Sequence, residues 1–97
     1  MIGMAATVAR HVRITGTVQG VGFRYWTARE AQRRGLRGWV RNRVDGSVEA
    51  LIIGAAEVVE DMIRVCHTGP RIAVVDRVEA EPAEDDGAAG FHQLHTE

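Results

Sequence analysis

Hydrophobic and polar residues alternate from about Arg10 to Thr17, with Val12 and Ile14 on one side and His11, Arg13 and Thr15 on the other. A period of two is that of a strand with one buried face. Three glycines from Gly16 to Gly22 then turn the chain. Phe23 to Arg34 holds neither Gly nor Pro and is rich in Ala, Arg, Glu and Gln, which predicts a helix ended by Gly35. Leu36 to Arg43 reads as a second strand, Val44-Asp45-Gly46 as a hairpin turn, and Ser47 to Ile53 as a third strand. The apolar run of that third strand suits a central place in a sheet. Gly54 breaks the pattern. Helical spacing follows through Ala55, Val58, Val59, Met62, Ile63 and Cys66, and Thr68-Gly69-Pro70 stops it. Ile72 to Glu81 predicts a fourth strand, with a bulge where Val74-Val75 and Val78 fail to alternate. Pro82 to Gly90 reads as a solvated acidic loop, and Phe91 to Leu94 as a short last strand.

The order β-α-β-β-α-β, with amphipathic helices and half-buried strands, predicts an α+β two-layer sandwich of the ferredoxin-like kind. The expected form is an antiparallel sheet with two helices on one face. With 97 residues the chain is one domain's worth. Residues 10–97 are taken as that domain, and residues 1–9 as a flexible N-terminal extension. Composition is 45% hydrophobic and 26% charged, which argues against disorder. No apolar run approaches the ~20 residues of a membrane helix, and the start has no secretory pattern. The single cysteine, Cys66, excludes a disulfide scaffold and a cysteine-built zinc site within one chain. A cytoplasmic location is expected. All 12 basic residues are Arg. Met1 to Arg43 carries nine of them and one acid, a formal +8, whereas Val44 to Glu97 carries −9. A basic half suits an anionic ligand, or the halves interleave and neutralise each other.

Two segments carry candidate chemistry. Gly16-Thr17-Val18-Gln19-Gly20-Val21-Gly22-Phe23-Arg24 is a strand, a glycine-rich turn and a helix start. Backbone N–H groups in such a turn can form an anion nest, and the helix N-terminus adds unpaired donors. Arg24 in the first helical turn is mildly unfavourable for the helix, a local conflict that points to function. The spacing is neither that of the Walker A loop nor that of the dinucleotide fingerprint. The second segment runs from Gly38-Trp39-Val40-Arg41-Asn42 to Gly54. Asn42, the only asparagine, stands at the end of a strand it disfavours. It reads either as a turn former or as an amide placed for hydrogen bonding.

Taken together, the segments resemble the acylphosphatase family. The first matches G-x-V-Q-G-V-x-F-R at every specified position. The second matches the companion signature of glycine, aromatic, small apolar, basic and asparagine, then x-x-x-G-x-V and five residues to a glycine. The likeness spans about Val12 to Leu94. It implies an enzyme that hydrolyses the carboxyl-phosphate anhydride of acyl phosphates to a carboxylate and inorganic phosphate. It implies that Arg24 binds the phosphate, that Asn42 positions the attacking water, and that the backbone of Gln19, Gly20, Val21, Gly22 and Phe23 cradles the phosphate oxygens. No metal, cofactor or covalent intermediate is implied. The expected partners are a small-molecule acyl phosphate and inorganic phosphate, with no nucleic acid and no membrane, and the chain is expected to be a monomer.

The chemistry suits such a kit. A carboxylate leaving group has a conjugate acid near pKa ~4 and needs no general acid. The loose transition state of phosphoryl transfer is served by positioning and charge. Arg41 and Arg43 point away from Asn42 by strand alternation and are expected to be solvated or paired with acids. The histidines His11, His67, His92 and His95 are expected to be incidental, and Cys66, Thr27 and Ala31 to be core. Two other readings stand beside the enzyme. One is a non-catalytic anion-binding or interaction module of the same fold, since acylphosphatase-like domains occur within larger hydrogenase-maturation proteins. The other is RNA binding, which the scarcity of sheet aromatics disfavours.

Overall fold

The computed structural model describes residues 6–97. The chain forms β1 (Thr7–Thr17), α1 (Phe23–Arg33), β2 (Arg37–Asn42), β3 (Val48–Ala55), α2 (Ala56–Cys66), β4 (Val74–Pro82) and β5 (Phe91–Gln93). Residues 1–5 of the expected extension lie outside the described residues. Thr7 to Ala9 belong to β1, three residues ahead of the expected start, and Ala9 is buried. Gly54 continues β3 rather than breaking it. A Cβ there would stand 2.5 Å from a Leu36 methyl, so the position suits a residue without a side chain.

The five strands form one sheet in the order β4-β1-β3-β2-β5. This is the ferredoxin-like α+β arrangement, with one correction. The sheet is mixed rather than wholly antiparallel, because β5 pairs parallel to β2, with Gly38 opposite Phe91. The reason is where the chain enters. β4 ends beside the start of β1, with Pro82 opposite Arg10, and β2 starts at that same end of the sheet, with Arg37 opposite Ile53. A strand that begins there and adds to the β2 edge must run alongside β2. The bulge expected in β4 is present: the register slips between Thr15 and Gly16, leaving Asp76 as the extra residue.

Both helices cover one face. Val12, Ile14, Val40, Val48, Ala50 and Ile52 from the sheet meet Phe23, Ala28 and Ala31 of α1 and Val59, Met62 and Cys66 of α2. Burying these side chains in place of water is the main stabilising contribution. Thr27 is fully buried as expected, and its hydroxyl donates to the Phe23 carbonyl at 2.8 Å. No helix among the described residues is long and apolar enough to cross a membrane.

The open face holds two features that the sequence reading did not anticipate. Ala9, Leu51 and Ile53 form a small apolar cluster with Trp39 and Ala83 packed on it. The acidic loop is tied across this face. Asp85 pairs with Arg37, Asp86 accepts from the Trp39 indole at 3.3 Å, and the Ala88 carbonyl accepts from Arg37 at 2.9 Å. Alongside lies Glu49, only 7% exposed. It is met by His11 at 2.5 Å, Arg41 at 2.8 Å, Arg43 at 3.4 Å and Arg13 at 4.0 Å. Arg41 and Arg43 are therefore paired with an acid, as expected, and His11 is a partner rather than incidental.

Candidate active site

β1, β2 and β5 run in the same direction, so their C-terminal ends lie at one end of the sheet. The row Ile14–Val48–Asn42 shows this directly: Val48 is opposite Ile14 on one side and Asn42 on the other. The glycine-rich turn leaves β1 at that end, and α1 begins from it.

The turn is held at both ends. Val18 is buried in the core. The Gln19 side-chain amide donates to the Arg43 carbonyl at 2.7 Å and the Ser47 carbonyl at 2.8 Å, which locks the turn to the β2–β3 hairpin. Gly20 and Gly22 have φ of +75° and +79°, the left-handed region that side chains rarely adopt. Gly22 is the N-cap of α1, without a capping side chain and with no acid in the first turn. The backbone N–H groups of Gln19 to Tyr25 donate to no acceptor among the described residues. Loop and helix start therefore present a run of free donors, and the helix adds its positive end.

Around them is a cavity of about 170 Å³ with Gln19, Gly20, Gly22, Arg24, Asn42 and Gln93 in its walls. Phe23 also lines it; Val21, expected among the cradle residues, does not. Arg24 comes from α1, and its guanidinium donates to the Leu94 carbonyl at 3.1 Å. It has no carboxylate partner among the described residues, and no carboxylate lines the cavity. Asn42 comes from the end of β2. Its carbonyl accepts from the Glu97 N–H at 3.1 Å, while its side-chain amide has no partner among the described residues. The site thus brings together an uncompensated cation, unpaired N–H donors and a free amide, which can bind a small anion and orient a water against it.

Arg24, Asn42, Gln19, Gly20, Gly22 and Phe23 converge where the sequence reading grouped them. Gln93 and the Leu94 carbonyl were missed. They come from the last strand, and no local pattern links that strand to α1. Cys66 lies away from the cavity, fully buried on α2, and burial pushes its thiol up to about 12.

The acylphosphatase family profile matches residues 10–93. An acylphosphatase of Nitrobacter winogradskyi is 61% identical over 75 residues, which cover 77% of this chain and 76% of that one. The structure of an acylphosphatase from Coxiella burnetii superposes with a TM-score of 0.88 at 30% identity, covering 91% of this chain and 93% of that one. Full-length HypF, solved in a phosphate- and nucleotide-bound form, superposes with a TM-score of 0.88 at 27% identity, covering 97% of this chain but 13% of HypF. Profile, relatives and fold agree with the two motifs around the cavity: the chain belongs to the acylphosphatase family.

Proposed function

We propose that this chain hydrolyses acyl phosphates to a carboxylate and inorganic phosphate, using the cavity between the 19–23 turn and Asn42. The observation that carries the reading is the convergence of three groups: the Arg24 guanidinium, whose charge meets no carboxylate among the described residues, and the turn N–H groups and the Asn42 amide, which meet no partner there. The turn and Arg24 bind the phosphate oxygens. Fixed donors stabilise charge without reorganising, so they act when the transition state spreads charge over those oxygens. The Asn42 amide orients a water for in-line attack on phosphorus. The P–O bond to the acyl group breaks and a carboxylate leaves unprotonated. The bound phosphate accepts the water's proton. The working unit is the 10–97 domain, as a cytoplasmic monomer acting on a small molecule.

The likeness to a stretch of HypF gives the second reading, an anion-binding module without turnover. Hydrolysis of acetyl phosphate with a chelator present separates the two. The wild type turns over. Arg24→Ala and Asn42→Ala each lose on the order of 10²–10³ in rate, with unchanged melting. A folded wild type that binds phosphate but hydrolyses nothing would decide for the binding module.

A further inference from the structure

The last strand carries a polar side chain that the reaction above leaves without a task. Gln93 lines the phosphate cavity together with Arg24 and Asn42. It is exposed, and its amide has no partner among the described residues. Strand alternation puts it on the helix face of the sheet. Phe91, two positions earlier, is buried in the core, and Val40, its register partner on β2, is fully buried. Asn42 lies two positions beyond Val40 on that same face. Neighbouring strands lie about 4.8 Å apart and rise about 3.3 Å per residue, which separates the Cα atoms of Gln93 and Asn42 by about 8 Å with both side chains on one side of the sheet.

The backbone that carries Gln93 is fastened along its length. The Gly38 N–H donates to the Gly90 carbonyl at 2.9 Å, the Leu94 N–H to the Val40 carbonyl at 2.8 Å, and the Gln32 side chain to the Phe91 carbonyl at 3.0 Å. The turn that cradles the phosphate is anchored at the β2–β3 hairpin through Gln19, whereas β5 lies beyond β2. Gln93 thus enters from the side of Asn42, not from the side of the cradle.

A water has two O–H donors and two lone pairs. In the attack, one lone pair faces phosphorus and one O–H gives its proton to the bound phosphate. One O–H and one lone pair remain. An amide oxygen accepts from the first, and an amide N–H donates to the second. A single amide reaches both only through two bent hydrogen bonds, which are weak. Two amides on adjacent strands can make both bonds straight. We infer that Gln93 is a second water-positioning residue, its amide and that of Asn42 holding the attacking water between them. This rests on the hydrolytic reading above.

The test uses acetyl phosphate as substrate and inorganic phosphate as inhibitor, with the wild type, Gln93→Ala, Gln93→Met, Asn42→Ala and the Asn42→Ala/Gln93→Ala double variant. Gln93→Ala and Gln93→Met each lower kcat about tenfold, the order expected for one lost hydrogen bond. KM and the phosphate inhibition constant keep their wild-type values, because the phosphate ligands are untouched. Both amides act on one water, so the double variant loses little more than Asn42→Ala alone. Met keeps the length of the side chain, so a loss shared by both Gln93 variants belongs to the amide. The side chain is exposed, and melting is unchanged. An unchanged kcat in the folded variants overturns the role of Gln93 while hydrolysis stands. So does a rise in KM and inhibition constant at unchanged kcat, which would make Gln93 a phosphate ligand, and so do fully multiplicative losses in the double variant. A wild type that hydrolyses nothing refutes hydrolysis, and the role of Gln93 with it.

Discussion

Replacing Glu49 by glutamine tests whether the charge network on the open face holds the fold together. Glu49 is the second residue of β3, its side chain only 9% exposed, and three arginines and His11 converge on it. Burial pushes the carboxyl up, but hydrogen bonds from His11 and Arg41, with their charges, outweigh it and hold the group below the usual carboxylate range. Glu49→Gln keeps the shape and removes the charge. Arg13, Arg41 and Arg43 are then left facing one another, and Arg13, whose Nε is already buried without an acceptor, keeps only Asp45 at 3.4 Å as a counter-charge. Breaking a buried ion pair by removing one partner costs roughly 3–5 kcal/mol. The arginines keep 20–33% of their side-chain surface in water, so solvent screening takes the loss to the lower end, about 3 kcal/mol. With a urea m-value of roughly 1.5 kcal/mol/M, the midpoint falls by about 2 M.

The pH dependence fixes the sign. A folded-state pKa below the unfolded one gives stability that is complete above the unfolded value, about 4.3, and is lost as pH falls through the lower folded value. The gap between wild type and Glu49→Gln is therefore full at pH 7 and shrinks in acid below that value. Urea titrations at pH 7 and pH 3 measure it. A gap under about 0.5 kcal/mol at pH 7, the scale of an ordinary surface pair, would refute the reasoning.

Three further outcomes follow from single residues. Gly22→Ala finds open space for its Cβ but a φ of +79°, so it costs about 1–2 kcal/mol in strain; thermal melting reads that loss, and kcat for acetyl phosphate falls as the turn relaxes. With its thiol pushed up to about 12 by burial, Cys66 stays unmodified by an aromatic disulfide reagent at pH 8 in the native protein and reacts fully once denatured. Asp85→Asn with Asp86→Asn loosens the acidic loop but leaves the melting temperature nearly unchanged, because the ties are solvent-facing; Trp39 emission shifts to the red as the loop lifts.

The elements were legible because their signals are local. The β1 alternation and the α2 stripe each lie within a dozen residues, and so do the glycines that shape the turn. Arg24 and Asn42 could be paired because two ordered motifs matched together. What escaped was set by partners far along the chain. Gln19 was read for its backbone, while its side chain ties the turn to a hairpin more than twenty positions on. Glu49 lay inside an apolar run and drew no attention. Its meaning appears only when register sets His11, Arg13 and Arg41 beside it. The acidic loop was read as solvated, since composition alone does not reveal that Arg37 and Trp39 lie beneath it. The direction of β5 depends on which end of the sheet the chain re-enters, a property of topology and not of any window of sequence.

The parallel pairing of β5 with β2 has a consequence for the order of folding events. It closes a loop that contains β3, α2 and β4, yet β5 brings only three residues to repay that closure. Contacts of such sequence separation form slowly and late. Arg24 accordingly gains its Leu94 tether, a partner 70 positions away, only after the helices and the four longer strands have assembled. During refolding, helix signal and core burial return first and catalytic competence lags behind them. Turnover is thus a stricter clock of completion than any spectroscopic measure of secondary structure.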